Sequence, residues 1–277
     1  MTKIDGKRVI VTGASAGIGR ETAKLFASKG AQMAAVARRG ERLEQLVQEC
    51  EGMAGSIVPI VADLTKESEA RRMVREGVEK LGGLDILINN AGVSMVGEVA
   101  EADLRLWRLM MDVNYFSVAA AIQEALPHLR QSTGAQIINV SSAVGQRSMP
   151  GSAAYCSTKF ALNGLTEGLR AELASEGIRV ILVHPGLTKT EVFGALLEVK
   201  PMPKVPPPGM WGMLHRSRSA VRRGAPAAKV ARTILQASRE GRRDAYVHWG
   251  DHLAVLFTRV FPRMTDRFVV GLYGKGR

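Results

Sequence analysis

Arg8-Val9-Ile10-Val11-Thr12-Gly13-Ala14-Ser15-Ala16-Gly17-Ile18-Gly19 lies almost at the start of a 277-residue chain. A short apolar run, suited to a buried strand, enters a turn with glycines at 13, 17 and 19. A segment of helical pattern follows, near 19–29. Glycines at these places let the backbone turn tightly and let a large anion approach it. The start of the helix behind them offers unpaired N–H groups and the positive end of its dipole. At a first strand–helix junction, such a turn points to a dinucleotide pyrophosphate.

The same alternation continues outward from that turn. Apolar runs fall at 32–36, 57–61, 84–88, 136–140, 179–183 and 245–249, each apolar on both parities. Strands of that kind are covered on both faces, as in a parallel sheet. Helical patterns lie between them, near 39–50, 67–81, 102–130, 152–176 and 227–240. The implied fold is α/β: a single-domain, doubly wound parallel sheet, Rossmann-like, of about seven strands with helices on both faces. We take 1–277 as one domain.

Composition agrees with a globular chain. Apolar residues are 46%, charged residues 23% and aromatics 5%. These values exclude a disordered chain and argue against a base-stacking RNA binder. Two cysteines, Cys50 and Cys156, exclude a disulfide scaffold and point to a reducing compartment. The polar first seven residues lack the apolar core of a signal peptide, and no run of 18 apolar residues occurs. A cytoplasmic location is expected.

The charge is unevenly placed. Residues 1–199 hold 22 Lys/Arg and 22 Asp/Glu, whereas 200–277 hold 16 and 4, so the whole +12 surplus sits in the last part. A field of that sign attracts phosphates, anionic lipid or acidic partners. Residues 194–224 break the alternation with five prolines and a basic surplus. Proline denies them a long helix or a regular ladder, and we read them as a substrate-covering lid.

Beyond the glycine turn, ordered motifs resemble the short-chain dehydrogenase/reductase family. They are Asp63-Leu64, Asn89-Asn90-Ala91-Gly92, Asn114, Ser141-Ser142, Tyr155-x-x-x-Lys159, and Pro185-Gly186 with Thr188 and Thr190. The resemblance is close over about 5–192 and loose beyond. It implies that Gly13, Ser15, Gly17, Ile18 and Gly19 bind the cofactor pyrophosphate. Asp63 and Leu64 would lie at the adenine. Asn90, Ala91 and Gly92 would lie at the adenosine ribose, with Asn89 a weaker candidate. Pro185, Gly186, Thr188 and Thr190 would flank the nicotinamide.

The second apolar run ends in Arg38-Arg39, where an NAD-preferring dehydrogenase usually has an acid. Guanidinium forks suit a phosphate, so NADP(H) is the expected cofactor and NAD(H) the alternative. Against this, Ala16 stands in the glycine loop, where many NADP-preferring relatives carry a basic residue.

Tyr155 and Lys159 are one helical turn apart and share a face. An ordinary phenol, with a pKa near 10, is a poor acid–base group at neutral pH. A nearby ammonium and an oxidised nicotinamide would favour the phenolate and lower that value. The resemblance gives Tyr155 the proton, Lys159 the nicotinamide ribose, and Ser142 the substrate oxygen. Asn114 would hold a water beside the lysine through its backbone. Ser141, on the opposite strand parity, points elsewhere. The implied activity is an NADP(H)-dependent carbonyl reductase or alcohol dehydrogenase on a hydrophobic ketone or secondary alcohol. A homodimer or homotetramer is the family's usual assembly.

Other features carry less. His248 and His252 are four apart, but Gly250 intervenes and no third ligand is near, so no metal is expected. His184 reads as a sheet-end residue and Cys156 as packing. The tail, 251–277, has apolar residues at helical offsets (Leu253, Leu256, Phe257, Val260, Phe261, Met264, Phe268) with Pro262 a break. Arg259, Arg263 and Arg267 recur beside them. Such a segment lies on an anionic membrane surface, covers the lid or packs in a dimer. A non-catalytic dinucleotide sensor or interaction protein on the same fold is the rival reading, although Tyr155 and Lys159 are both intact. No recognition motif supports a nucleic-acid binder.

Overall fold

The computed structural model describes residues 2–189, 197–198 and 224–274. Seven strands form one sheet: β1 (Arg8–Thr12), β2 (Gln32–Ala37), β3 (Ser56–Val61), β4 (Ile86–Asn89), β5 (Gln136–Val140), β6 (Arg179–His184) and β7 (Asp244–Tyr246). The order is β3-β2-β1-β4-β5-β6-β7, and every pairing is parallel. This is the expected seven-strand, doubly wound sheet. The chain winds outward to one side from β1 and to the other from β4, so a crevice forms where their carboxyl ends part.

Strand parity assigns the helices to layers. Val9 and Val11 pack, with Met33, into one apolar cluster. It is completed by Phe26 of α1 (Gly17–Ala27), Leu43 of α2 (Gly40–Glu49) and Ile234 of α7 (Ala227–Glu240). Ile10, Ala34 and Leu87 face the other cluster with Met73 of α3 (Glu67–Leu81), Ile122 of α5 (Ser117–Leu129) and Leu162 of α6 (Ala153–Leu173). Alternation along buried strands thus divides the core into two layers.

The 102–130 segment is not one uniform helix. α4 (Leu104–Met111) runs into a π-helical turn at Asp112–Phe116, and α5 follows. Asn114 sits in this wide turn with no solvent exposure. Apolar periodicity does not single out such a turn, because it shifts the buried positions by only one residue in a segment that is apolar at most positions. β7 also ends earlier than its apolar run, because Trp249 already opens α8 (Trp249–Val260). Phe261 then leaves the helical conformation, and Pro262 opens α9 (Pro262–Gly274). The expected break is there.

Thr188–Lys189 pairs in parallel with Ala225–Pro226. The stretch between them therefore begins and ends at one place. The expected lid, 194–224, and Thr190 fall outside the described residues except for 197–198 and 224.

Candidate active site

A cleft of about 1300 Å³ runs along the carboxyl ends of β1 to β6. Gly13, Ser15, Gly17, Ile18, Arg38 and Arg39 line one end, followed by Asp63, Leu64, Asn90, Ala91 and Gly92. Ser142, Tyr155, Lys159, Pro185, Gly186 and Thr188 line the other. Two expected site residues lie off the wall. Gly19 is buried behind the turn and Asn114 behind the lysine.

The turn after β1 is closed on itself. A Cβ at Gly19 would meet the Gly13 carbonyl oxygen at 2.4 Å, and one at Gly13 (φ +74°) would meet Asn90 Nδ2 at 2.8 Å. Asn90 Nδ2 donates to the Thr12 carbonyl at 2.8 Å, while Thr12 Oγ1 accepts from the amides of Asn90 and Ala91 at 2.9 and 3.0 Å. The ends of β1 and β4 are thereby locked together, and no side chain caps the start of α1. This narrow cradle of backbone, open to the cleft, fits a pyrophosphate. Beside it the Arg39 guanidinium donates to Ser15 Oγ at 3.2 and 3.0 Å, which sets a cation at the loop's edge. Asp63 holds the Thr65 amide at 3.2 Å. Leu64 is largely a core residue, 7% exposed, and shows the cleft little surface.

At the other end Lys159 is 4% exposed, and its Nζ donates to the Val140 carbonyl at 3.0 Å. The same Nζ lies 5.9 Å from the centroid of the Tyr155 ring. Burial pulls the lysine down to about 8. Burial also dominates at Tyr155, where it outweighs a bond from the Ser142 side chain and pushes the phenol up to about 12. The expected lowering is therefore not a property of the chain alone. Lys159 aims its charge at a backbone carbonyl, and desolvation of the phenolate wins. Held protonated in this way, the phenol is a weaker acid than a free one until a further positive charge enters the cleft.

Ser142 follows β5 and lies near Pro185, with its Oγ 3.5 Å from that carbonyl oxygen. Ser141 Oγ instead donates to Asn163 Oδ1 at 2.6 Å, as strand parity requires. Asn114 Oδ1 accepts from the Val93 amide at 2.9 Å, and its Nδ2 donates to the Val93 carbonyl and Thr158 Oγ1, both at 2.9 Å. It ties the π turn to α6 directly behind Lys159.

Several cleft residues are not foreshadowed by any motif. Asp251, Val255, Phe257, Thr258, Thr265 and Phe268 all come from the C-terminal helices. Asp251 Oδ2 is buried with no hydrogen-bond partner, and it would stand 2.6 Å from a Cβ placed on Gly186. The signal available in the sequence was the inner stripe at 251, 254, 255 and 258, but the stripe does not say which surface it meets. His184 is buried at the end of β6, where it stacks on Tyr246 with centroids 4.7 Å apart and lies 3.2 Å from Asp244. Cys156 is buried, as expected of a packing residue. Among the described residues no group of three or more His, Cys, Asp and Glu could hold a metal.

Comparison with known proteins agrees with this geometry. A family model described as short chain dehydrogenase matches residues 7–200. A hydroxysteroid 11-beta-dehydrogenase 1-like protein of Danio rerio is 34% identical over 274 residues, 98% of this chain and 88% of its own. A short chain dehydrogenase/reductase from Burkholderia phymatum, solved in complex with NAD, superposes with a TM-score of 0.84 at 25% identity, covering 96% of this chain and 97% of its own. A short chain dehydrogenase from Burkholderia cenocepacia, solved with NADP, gives 0.77 at 31% identity over 91% of this chain and 100% of its own.

Proposed function

The chain belongs to the short chain dehydrogenase family of oxidoreductases, and from that membership we propose an NADP(H)-dependent enzyme acting between a hydrophobic ketone and the matching secondary alcohol. One observation carries the reading. The Tyr155 phenol, the Ser142 hydroxyl and the Lys159 ammonium share a cleft with the Gly13–Gly19 cradle. When bound, a nicotinamide dinucleotide supplies or accepts the hydride.

The chain's own residues do the rest. The cradle holds the diphosphate, and Arg38 and Arg39 at the end of β2 take the 2′-phosphate. Asp63, Leu64, Asn90, Ala91 and Gly92 line the adenosine half, and Pro185, Gly186, Thr188 and Thr190 flank the nicotinamide half. Ser142 hydrogen-bonds the substrate oxygen and fixes its direction. Tyr155 passes its proton to that oxygen in reduction and takes it back in oxidation. Lys159 binds the ribose hydroxyls and favours the phenolate left behind. The Asn114 backbone holds the water through which the proton is replaced. We take the protein as one domain with a lid at 194–224 and a basic tail at 251–277. It would work as a homodimer or homotetramer in the reducing cytoplasm.

The decisive experiment is a panel of ketones and alcohols followed by NADPH absorbance. Tyr155→Phe should lower kcat/KM by about 10²–10⁴ while leaving NADPH binding intact. Turnover that survives the substitution would remove the mechanism. A panel with no turnover, but intact NADPH binding, would leave a dinucleotide sensor.

A further inference from the structure

The C-terminal helix pair, α8 and α9, has two faces. Val255 and Thr265 turn inward and are buried, and with Asp251 and Thr258 they wall the cleft. The outer face is apolar and bare. Of the fifteen exposed large hydrophobic side chains among the described residues, nine lie in Trp249–Val270. Trp249 is 74% exposed, Val260 59% and Met264 58%. Arg259, Arg263 and Arg267 are exposed on the same two helices. Phe257 and Phe268 belong to both faces, since each lines the cleft and is also 46% and 66% exposed. They form a rim between cleft and outer surface.

An apolar patch this concentrated marks a contact. Charge decides what fits it. A second copy of this chain would bring the same positive surplus, 16 Lys/Arg against 4 Asp/Glu in 200–277. The chain's own 199–223 stretch carries six Lys/Arg and no acid. Both would set like charge against like. An anionic bilayer complements both halves of the surface. Arginines sit at lipid phosphates, apolar side chains enter the acyl boundary, and an indole such as Trp249 suits the interface between them.

We propose that the α8–α9 pair docks on an anionic bilayer surface, and that the cleft draws a lipophilic ketone or alcohol from it past Phe257 and Phe268. Docking needs only this helix pair; the second half rests on the oxidoreductase reading above. No helix among the described residues is long and apolar enough to cross a membrane, so the contact is peripheral.

The full chain is sedimented with vesicles of phosphatidylcholine alone and with phosphatidylglycerol added. It should pellet with the anionic vesicles, less with the neutral ones, and less again at high salt. The triple variant R259E/R263E/R267E should partition roughly a hundredfold more weakly. The double variant V260E/M264E should stay in the supernatant with unchanged thermal unfolding. These five residues do not line the cleft, so turnover of a short, water-soluble alcohol should not change. A wild-type chain that pellets with neither vesicle would overturn docking. So would variants that pellet as wild type does, or V260E/M264E splitting an oligomer without altering pelleting. With a long-chain ketone held in the vesicles, wild type should outpace V260E/M264E; equal rates would overturn the substrate half alone. Absence of turnover with every substrate would sink the oxidoreductase reading and leave the sedimentation result standing.

Discussion

At Lys159 the fold and the proposed function pull against each other on a single side chain. Its folded value of about 8 lies below the ordinary 10.5, so the unfolded chain binds the proton more tightly. Stability therefore rises with pH between about 8 and 10.5, and below 8 the buried charge costs the fold about 3 kcal/mol. Lys159→Met should unfold at a higher temperature than wild type near pH 7, with the gap closing as pH approaches about 10. Calorimetry across that range checks the sign, and turnover should be lost throughout. The Tyr155–Lys159 pair is legible in the sequence because its proposed chemistry depends on a spacing of four. The direction of the Tyr155 shift is not, because it depends on how much water the fold removes.

At the scale of elements, the proposed cofactor determinants lie at the junctions that follow β1 and β2. Arg38→Asp with Arg39→Asp should weaken NADPH binding about 10²–10⁴-fold and spare NADH, since each lost charge-assisted bond to phosphate contributes about 1.5–3 kcal/mol. Equal losses for the two cofactors, measured by fluorescence titration, would refute the phosphate fork. At the opposite ends of β1 and β4, Asp85 has a purely structural role. Burial raises its pKa, but the Arg8 side chain, the Ser132 hydroxyl and the Arg8 amide outweigh that and hold the carboxyl well below its usual range. Arg8 Nε and the Arg8 amide both donate to Asp85 Oδ2, at 2.9 and 2.8 Å. Asp85→Ala should cost about 3 kcal/mol in urea unfolding at neutral pH. The wild-type advantage is complete above the ordinary carboxylate range and fades as pH falls below about 4. The π turn at Asp112–Phe116 belongs to this scale too. Asn114 is identifiable by family motif, whereas the widened turn that buries it is not.

Across the whole molecule, the cleft joins residues more than 200 positions apart. Gly13 and Ser15 hold one end, and Phe268 closes the other. Phe268→Ala should raise KM for a bulky apolar ketone about tenfold while leaving NADPH affinity unchanged, because the glycine cradle lies at the far end. Steady-state kinetics with one bulky and one small substrate separate these effects; a matching rise for the small ketone would contradict the wall. Arg147, in the loop after Ser142, pairs with Asp266 of α9 and thereby connects the serine loop to the tail.

The amino-acid sequence alone determines the layered sheet and the glycine-turn end of the cleft. Strand burial shows as apolar runs of both parities, and a glycine-rich turn needs only neighbouring residues to build an anion cradle. The tail's periodicity likewise foretells a helix with a break at Pro262. What covers that helix is settled elsewhere. Periodicity reports that one face is apolar, not which surface it meets, and α8 and α9 turn one stripe to the cleft and leave the other bare. The upward shift of Tyr155, the unpaired Asp251 oxygen and the Phe257–Phe268 rim all arise from groups distant in sequence packing together and excluding water. Only the tertiary structure decides them, because desolvation is a property of the enclosing volume and no local stretch of chain encodes it.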